Sequence, residues 1–190
     1  MSLEAMVNLI LPEEFFKSGR LVTRDGYEIT SLDKVEIMQV LNRYDWAYCS
    51  KHHEALADLV TDDIVFDHAM VHAEGKKQFL NVDQIQALIY GLRHTFSNQV
   101  VFINAAGNPA CLSYMHVFQV ASPESTGHSM PLILDSAIVI DEMRKENGQW
   151  RIAKRTQEQQ KIADFAPLPP DIRKALAQTQ KERSSQRERP

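Results

Sequence analysis

The chain has 190 residues, 24% of them charged, with a formal net charge of -4 at neutral pH. This length suits one domain with a single sizeable core plus an arm or tail. The mildly acidic balance lacks the basic footprint of a nucleic-acid binder, and the longest apolar runs, such as "MPLILDSAIVI", are too short and too interrupted by Asp135 and Ser136 to span a bilayer.

The first strong pattern lies in "TSLDKVEIMQVLNRYDWAYCSKHHEALADLVTDD". Ser31 or Asp33 can cap a helix, and Val35, Ile37, Met38, Leu41, Tyr44 or Asp45, and Tyr48 recur at three- and four-residue steps, which predicts one packed stripe. A short second helix is expected over Glu54 to Val60. "IVFDHAMVHAEGKK" suits a strand or hairpin turning at Gly75, and "NVDQIQALIYGLRH" returns to helical spacing with Asn81 or Asp83 as its cap. From Asn98 the pattern is β. One strand pair turns around "AAGNP", and a second, "PLILDSAIVIDEMRKENGQWRIAKRTQEQ", turns at "ENG".

Helices followed by long antiparallel strands predict an α+β fold with helices on one face of a curved sheet. Residues 1–30 read as an N-terminal arm, 31–162 as the domain, and 163–190 as a polar C-terminal tail. The opening "MSLEAMVNLILPEEFF" has no basic region ahead of its apolar residues and no clear cleavage site, so it does not read as a secretory signal. Cys49 and Cys111 are far apart and in no metal-like spacing. A cytoplasmic protein with free thiols is expected.

Four stretches, in order, carry a family resemblance: "RYDWAYCSKHHEALADLVTDDIVFD", "RHTFSN", "ACLSYMHV" and "GQWRIAKR". From Lys34 to about Arg155 the chain resembles the SnoaL-like family of the nuclear transport factor 2-like superfamily, whose members include scytalone dehydratase, bile-acid dehydratase and lindane dehydrochlorinase. The resemblance implies a cone-shaped α+β barrel: a curved antiparallel sheet wrapped around a long N-terminal helix, with an apolar pocket at the wide end. It also implies that His94 is a general base. Imidazole suits that work because its pKa lies near neutrality. A histidine at a helix C-terminus, bonded to a last-turn carbonyl, is the structural alternative.

The same resemblance implies a carboxylate beside the base, and Cys49 stands at that position. Asp45, one helical turn earlier, and Asp135, which interrupts an apolar strand, are the rival carboxylates. Each could instead bond Arg155, Arg43 or backbone. Tyr48 matches a tyrosine that polarises a substrate carbonyl, whereas Tyr44 reads more simply as a core aromatic. Period two along "ACLSYMHVF" groups Tyr114, His116 and Phe118 as candidate pocket lining, and leaves Met115 and Val117 as a candidate subunit contact.

With no HExxH, no Gly-rich phosphate loop and no nucleophile elbow, neither a metal nor any other cofactor is expected. The resulting expectation is a cofactor-independent, dehydratase-like lyase or isomerase acting on a small cyclic, mostly apolar molecule, in a dimer or trimer, with no nucleic-acid or membrane partner. The alternatives are a non-catalytic small-molecule-binding or assembly domain, or the β subunit of a ring-hydroxylating oxygenase.

Overall fold

A computed structural model describes residues 13–16, 19–68, 71–86, 91–121 and 131–163, with single positions at 170 and 174. Most of the C-terminal tail expected at 163–190 therefore lies outside the described residues. In chain order a 3-10 turn (Glu13–Phe16) precedes β1 (Leu21–Val22), β2 (Glu28–Ile29), α1 (Ser31–Cys49), α2 (His53–Leu59), β3 (Val60–Asp67) and β4 (His72–Glu74). Next come α3 (Lys76–Gln86), β5 (Leu92–Ile103), β6 (Pro109–Gln119), β7 (Leu132–Glu146) and β8 (Gln149–Ile162).

Thr30, rather than Ser31 or Asp33, caps α1. Its hydroxyl accepts the Asp33 N–H while the Asp33 carboxylate accepts the Thr30 N–H, a reciprocal capping box. Asp33 also accepts from Trp150 Nε1 at 3.0 Å and Lys145 Nζ at 2.9 Å, so the same carboxylate ties the helix start to the far hairpin. The buried stripe is Ile37, Val40, Leu41, Tyr44 and Ala47. Val35 is 49% exposed, because two residues' separation turns it some 200° from Ile37.

α3 begins five residues before Asn81, directly after Gly75. That glycine holds φ +82° and accepts the Phe79 N–H, which lets the chain pass from β4 straight into the helix. The larger departure is at the other end. Leu92 to Ser97, expected to be helix end and junction, are the first half of β5, so His94 sits inside a strand and the helix C-terminus alternative falls away. Gly91, at φ +72°, breaks the preceding pattern, and from Leu92 burial alternates residue by residue.

The main sheet runs β4-β3-β8-β7-β6-β5, antiparallel except for the parallel pair β3 and β8. Asn147 and Gly148, both at positive φ, make the tight turn between β7 and β8 that the "ENG" signal predicts. α1 lies against the inner face, where Ile37, Leu41, Leu56, Val60, Ile64 and Ile152 are almost wholly inaccessible. Burial of such a side chain contributes about 1.5–3 kcal/mol.

Register decides which residues face this interior. His94 pairs with Val117, which pairs with Asp135; Phe96 pairs with Met115, which pairs with Ala137. Met115 and Val117 are core residues packed with Ala137 and Val139, not a subunit contact. Tyr114, His116 and Phe118 pair with Ser97, Thr95 and Arg93 on the outer face, so they do not line the interior. The period of two grouped these residues correctly, but the inward side went to the row that shares its face with His94. On the outer face, Phe102, Ala110, Leu112 and Ile138 form a separate cluster on which Phe15 of the arm packs.

Candidate functional site

The C-terminal half of α1 and the start of β5 bring together three groups that can exchange protons. Asp45 and Cys49 are one helical turn apart and share a face of α1. Cys49 Sγ lies 3.6 Å from Asp45 Oδ1 and 3.8 Å from His94 Nδ1, and it accepts the backbone N–H of His94 at 3.1 Å. The thiol thus occupies the place beside the imidazole and bridges it to the carboxylate. Asp45 does not reach His94 directly; among the described residues, Cys49 Sγ is the only polar partner of the His94 ring.

The surroundings set the charge on each group. Burial pushes Asp45 up to about 6, outweighing the opposing effects of the Cys49 thiol and the Arg155 charge. Burial also pushes the Cys49 thiol up to about 11, and the neighbouring Asp45 carboxylate adds to this. His94 is driven down to about 3, first by burial and then by the Arg155 cation. Near neutral pH the set is therefore a neutral imidazole, a thiol and a carboxylate of weakened acidity.

Tyr48 presents its ring to the His94 ring in a T-shaped contact, centroids 4.5 Å apart. Tyr44 stacks on Tyr48 and carries the Arg155 guanidinium over its face at 3.8 Å. Arg155 is almost wholly buried and forms a bidentate pair with Asp141, at 2.6 Å and 3.0 Å. Burial alone would push Arg155 down, but the Asp141 carboxylate and Tyr44 outweigh it and hold the cation in place. In the sequence Arg155 stands out only as a possible partner of Asp45 or Asp135, and Asp141 as no candidate. The sole signal for them was the charged residue in "WRIAKR" and a second carboxylate in an apolar strand.

Asp135 faces the same interior but stands two strands from His94, about 10 Å at the usual strand spacing. It is not the partner of His94. It accepts a hydrogen bond from Gln160 Nε2, which also contacts His68 Nε2 at 3.2 Å. Burial pushes Asp135 up to about 6 against the effect of Gln160. Asp135 Oδ1, Gln160 Oε1, Gln157 Oε1 and Ser113 Oγ are buried without a protein partner among the described residues. These oxygens make the inner face around Asp135 more polar than the apolar lining expected there.

The expectation of no metal rested on ligands close together in sequence. Asp45, Cys49 and His94 bring an oxygen, a sulfur and a nitrogen all within 4.8 Å of one another, although the thiol and the imidazole are 45 positions apart in the chain.

A family model described as a SnoaL-like domain matches residues 30–156. The chain belongs to the SnoaL-like family. Among curated proteins none matches it. Several solved structures share the fold. One is a protein of unknown function with a cystatin-like fold from Nostoc punctiforme, 24% identical, covering 74% of this chain and 98% of that one with a TM-score of 0.60. Another, provisionally assigned as a scytalone dehydratase, comes from Novosphingobium aromaticivorans; it is 19% identical over 73% of this chain and 93% of its own, TM-score 0.56. A third, an NTF2-like protein with a cystatin-like fold from the same organism, is 19% identical over 76% and 89%, TM-score 0.56. At these identities the likeness speaks for the SnoaL-like fold, and the chemistry rests on the side chains. No helix among the described residues is long and apolar enough to cross a membrane.

Proposed function

We propose that this SnoaL-like protein is a cofactor-independent lyase or isomerase in which His94 removes a proton from a carbon next to a carbonyl. The observation that carries this reading is the line Asp45, Cys49, His94. If the Cys49 thiol donates to Asp45 Oδ1, its sulfur is left to accept from His94 Nδ1–H, and the lone pair stays on Nε2. The thiol thereby does the orienting that a carboxylate does elsewhere, with the negative charge one turn further away. In this reading Tyr48, whose ring lies edge-on against the imidazole, is the donor to a developing enolate oxygen.

The substrate in this reading is a small cyclic molecule that carries hydrogen-bonding groups as well as an apolar body. Hydroxyls on it would satisfy the partnerless oxygens of Asp135, Gln157 and Gln160. The protein works as a homo-oligomer joined through the outer sheet face, where Val100, Tyr114 and Ile133 are exposed. One observation favours a second reading, a non-catalytic binding domain. With no carboxylate against it, His94 is a weak base as well as a neutral one.

Hydrogen–deuterium exchange at the carbon next to the carbonyl of 1-tetralone, followed by NMR in deuterated buffer, separates the two. The wild-type chain is expected to exceed the solvent rate and His94→Ala to fall back to it while its circular dichroism is unchanged. Equal rates for wild type and His94→Ala would refute the role of His94, and a wild-type rate at background would favour the binding domain.

A further inference from the structure

The Asp45, Cys49 and His94 set has a second capacity that its catalytic reading does not use. A tetrahedral zinc ion with bonds of about 2.3 Å to sulfur and about 2.0–2.1 Å to nitrogen and oxygen sets the sulfur-to-nitrogen and sulfur-to-oxygen edges at about 3.5 Å. The observed edges from Cys49 Sγ are 3.8 Å to His94 Nδ1 and 3.6 Å to Asp45 Oδ1. The remaining edge, from Asp45 to His94, is within 4.8 Å and would shorten toward about 3.3 Å around a bound ion.

We propose that Asp45, Cys49 and His94 form a three-ligand site for a thiophilic divalent cation, with Zn²⁺ the best match, and that its occupation switches His94 off as a base. The donor set of one thiolate, one imidazole and one carboxylate suits zinc and disfavours the oxygen-seeking Mg²⁺ and Ca²⁺. Two ligands come from one face of α1 and the third from β5, so both bounding elements are already fixed by packing. The backbone N–H of His94 already points at the sulfur, the type of outer hydrogen bond that supports a metal-bound thiolate.

Charge also balances. Zn²⁺ with the Asp45 carboxylate and a Cys49 thiolate sums to zero, and Arg155 beyond them is neutralised by Asp141. Binding breaks the Cys49 S–H bond and releases that proton to solvent. It also places the metal on His94 Nδ1, which moves the ring proton to Nε2 and removes the lone pair that proton abstraction needs. This last step rests on the proposed function; the metal site itself does not.

The untagged chain, kept reduced, is titrated with Zn²⁺ by calorimetry and with Co²⁺ by absorption. One ion per chain is expected, with a thiolate-to-cobalt charge-transfer band in the near ultraviolet. Cys49→Ala should abolish the band, and both Cys49→Ala and the near-isosteric Asp45→Asn should weaken zinc binding by about tenfold or more. Wild-type zinc affinity in Cys49→Ala, or a cobalt complex without the band, would overturn the site. Zinc at saturation should also bring 1-tetralone exchange down to the solvent rate, and exchange that persists at saturation would overturn the switch. A wild-type chain that binds zinc through Cys49 but shows no exchange without it refutes the catalytic reading and leaves the metal site standing.

Discussion

At the scale of single residues, the interior holds an acid in its costly state. The unfolded Asp135 carboxyl ionises near pH 4, whereas burial in the fold pushes it up to about 6. Between those values the folded state holds a proton that the unfolded state has lost, so stability falls as pH rises from about 4 to about 6 and stays lower above. Asp135→Asn keeps an oxygen to accept from Gln160 and cannot ionise. It is expected to raise the melting temperature at pH 7 and to leave it nearly unchanged at pH 4; an equal shift at both would show that ionisation is not the cause. Cys49 makes the opposite point about residues. It is ordinary by composition, yet its sulfur contacts both Asp45 and His94.

Among elements, β5 matters most for the site, and Gly91 determines where it begins. Gly91 holds φ +72°, and a Cβ there would meet the Ala121 carbonyl oxygen at 2.1 Å. Gly91→Ala would combine left-handed strain with a backbone clash, and a loss of more than about 2 kcal/mol is expected in urea unfolding. Because the same strand aims His94, its amide and ring resonances should shift as well. The two-residue periodicity of Leu92, His94 and Phe96 was present in the sequence, but six residues of alternation did not outweigh the helical spacing running up to Gly91. The β7–β8 turn was legible because Asn147–Gly148 has a specific backbone requirement.

For the molecule as a whole, the decisive feature is a buried ion pair at the centre of the cone. Arg155 and Asp141 hold each other, and Arg155 lies between the Tyr44 and Phe96 rings, linking the helix to the sheet. Arg155→Met leaves Asp141 buried and alone, at a cost of about 3–5 kcal/mol. The double variant Arg155→Met/Asp141→Leu should recover most of that loss in denaturant unfolding, since both desolvated charges go together. If the double variant is no more stable than the single one, the cation on Tyr44 rather than the pair is what holds the two layers.

The α+β class, the order of helices before strands and the family were legible in the residues alone, because periodicity, turn chemistry and local motifs are short-range properties that survive without coordinates. Which side of each strand faces the core needed the packed sheet. A strand's two faces differ by one residue of register, and that choice moved Tyr114, His116 and Phe118 outside and Met115 and Val117 inside. The resemblance already set Cys49 beside His94; the packing of α1 on β5 added that the same sulfur reaches Asp45, so that it bridges the carboxylate to an imidazole 45 positions further along the chain.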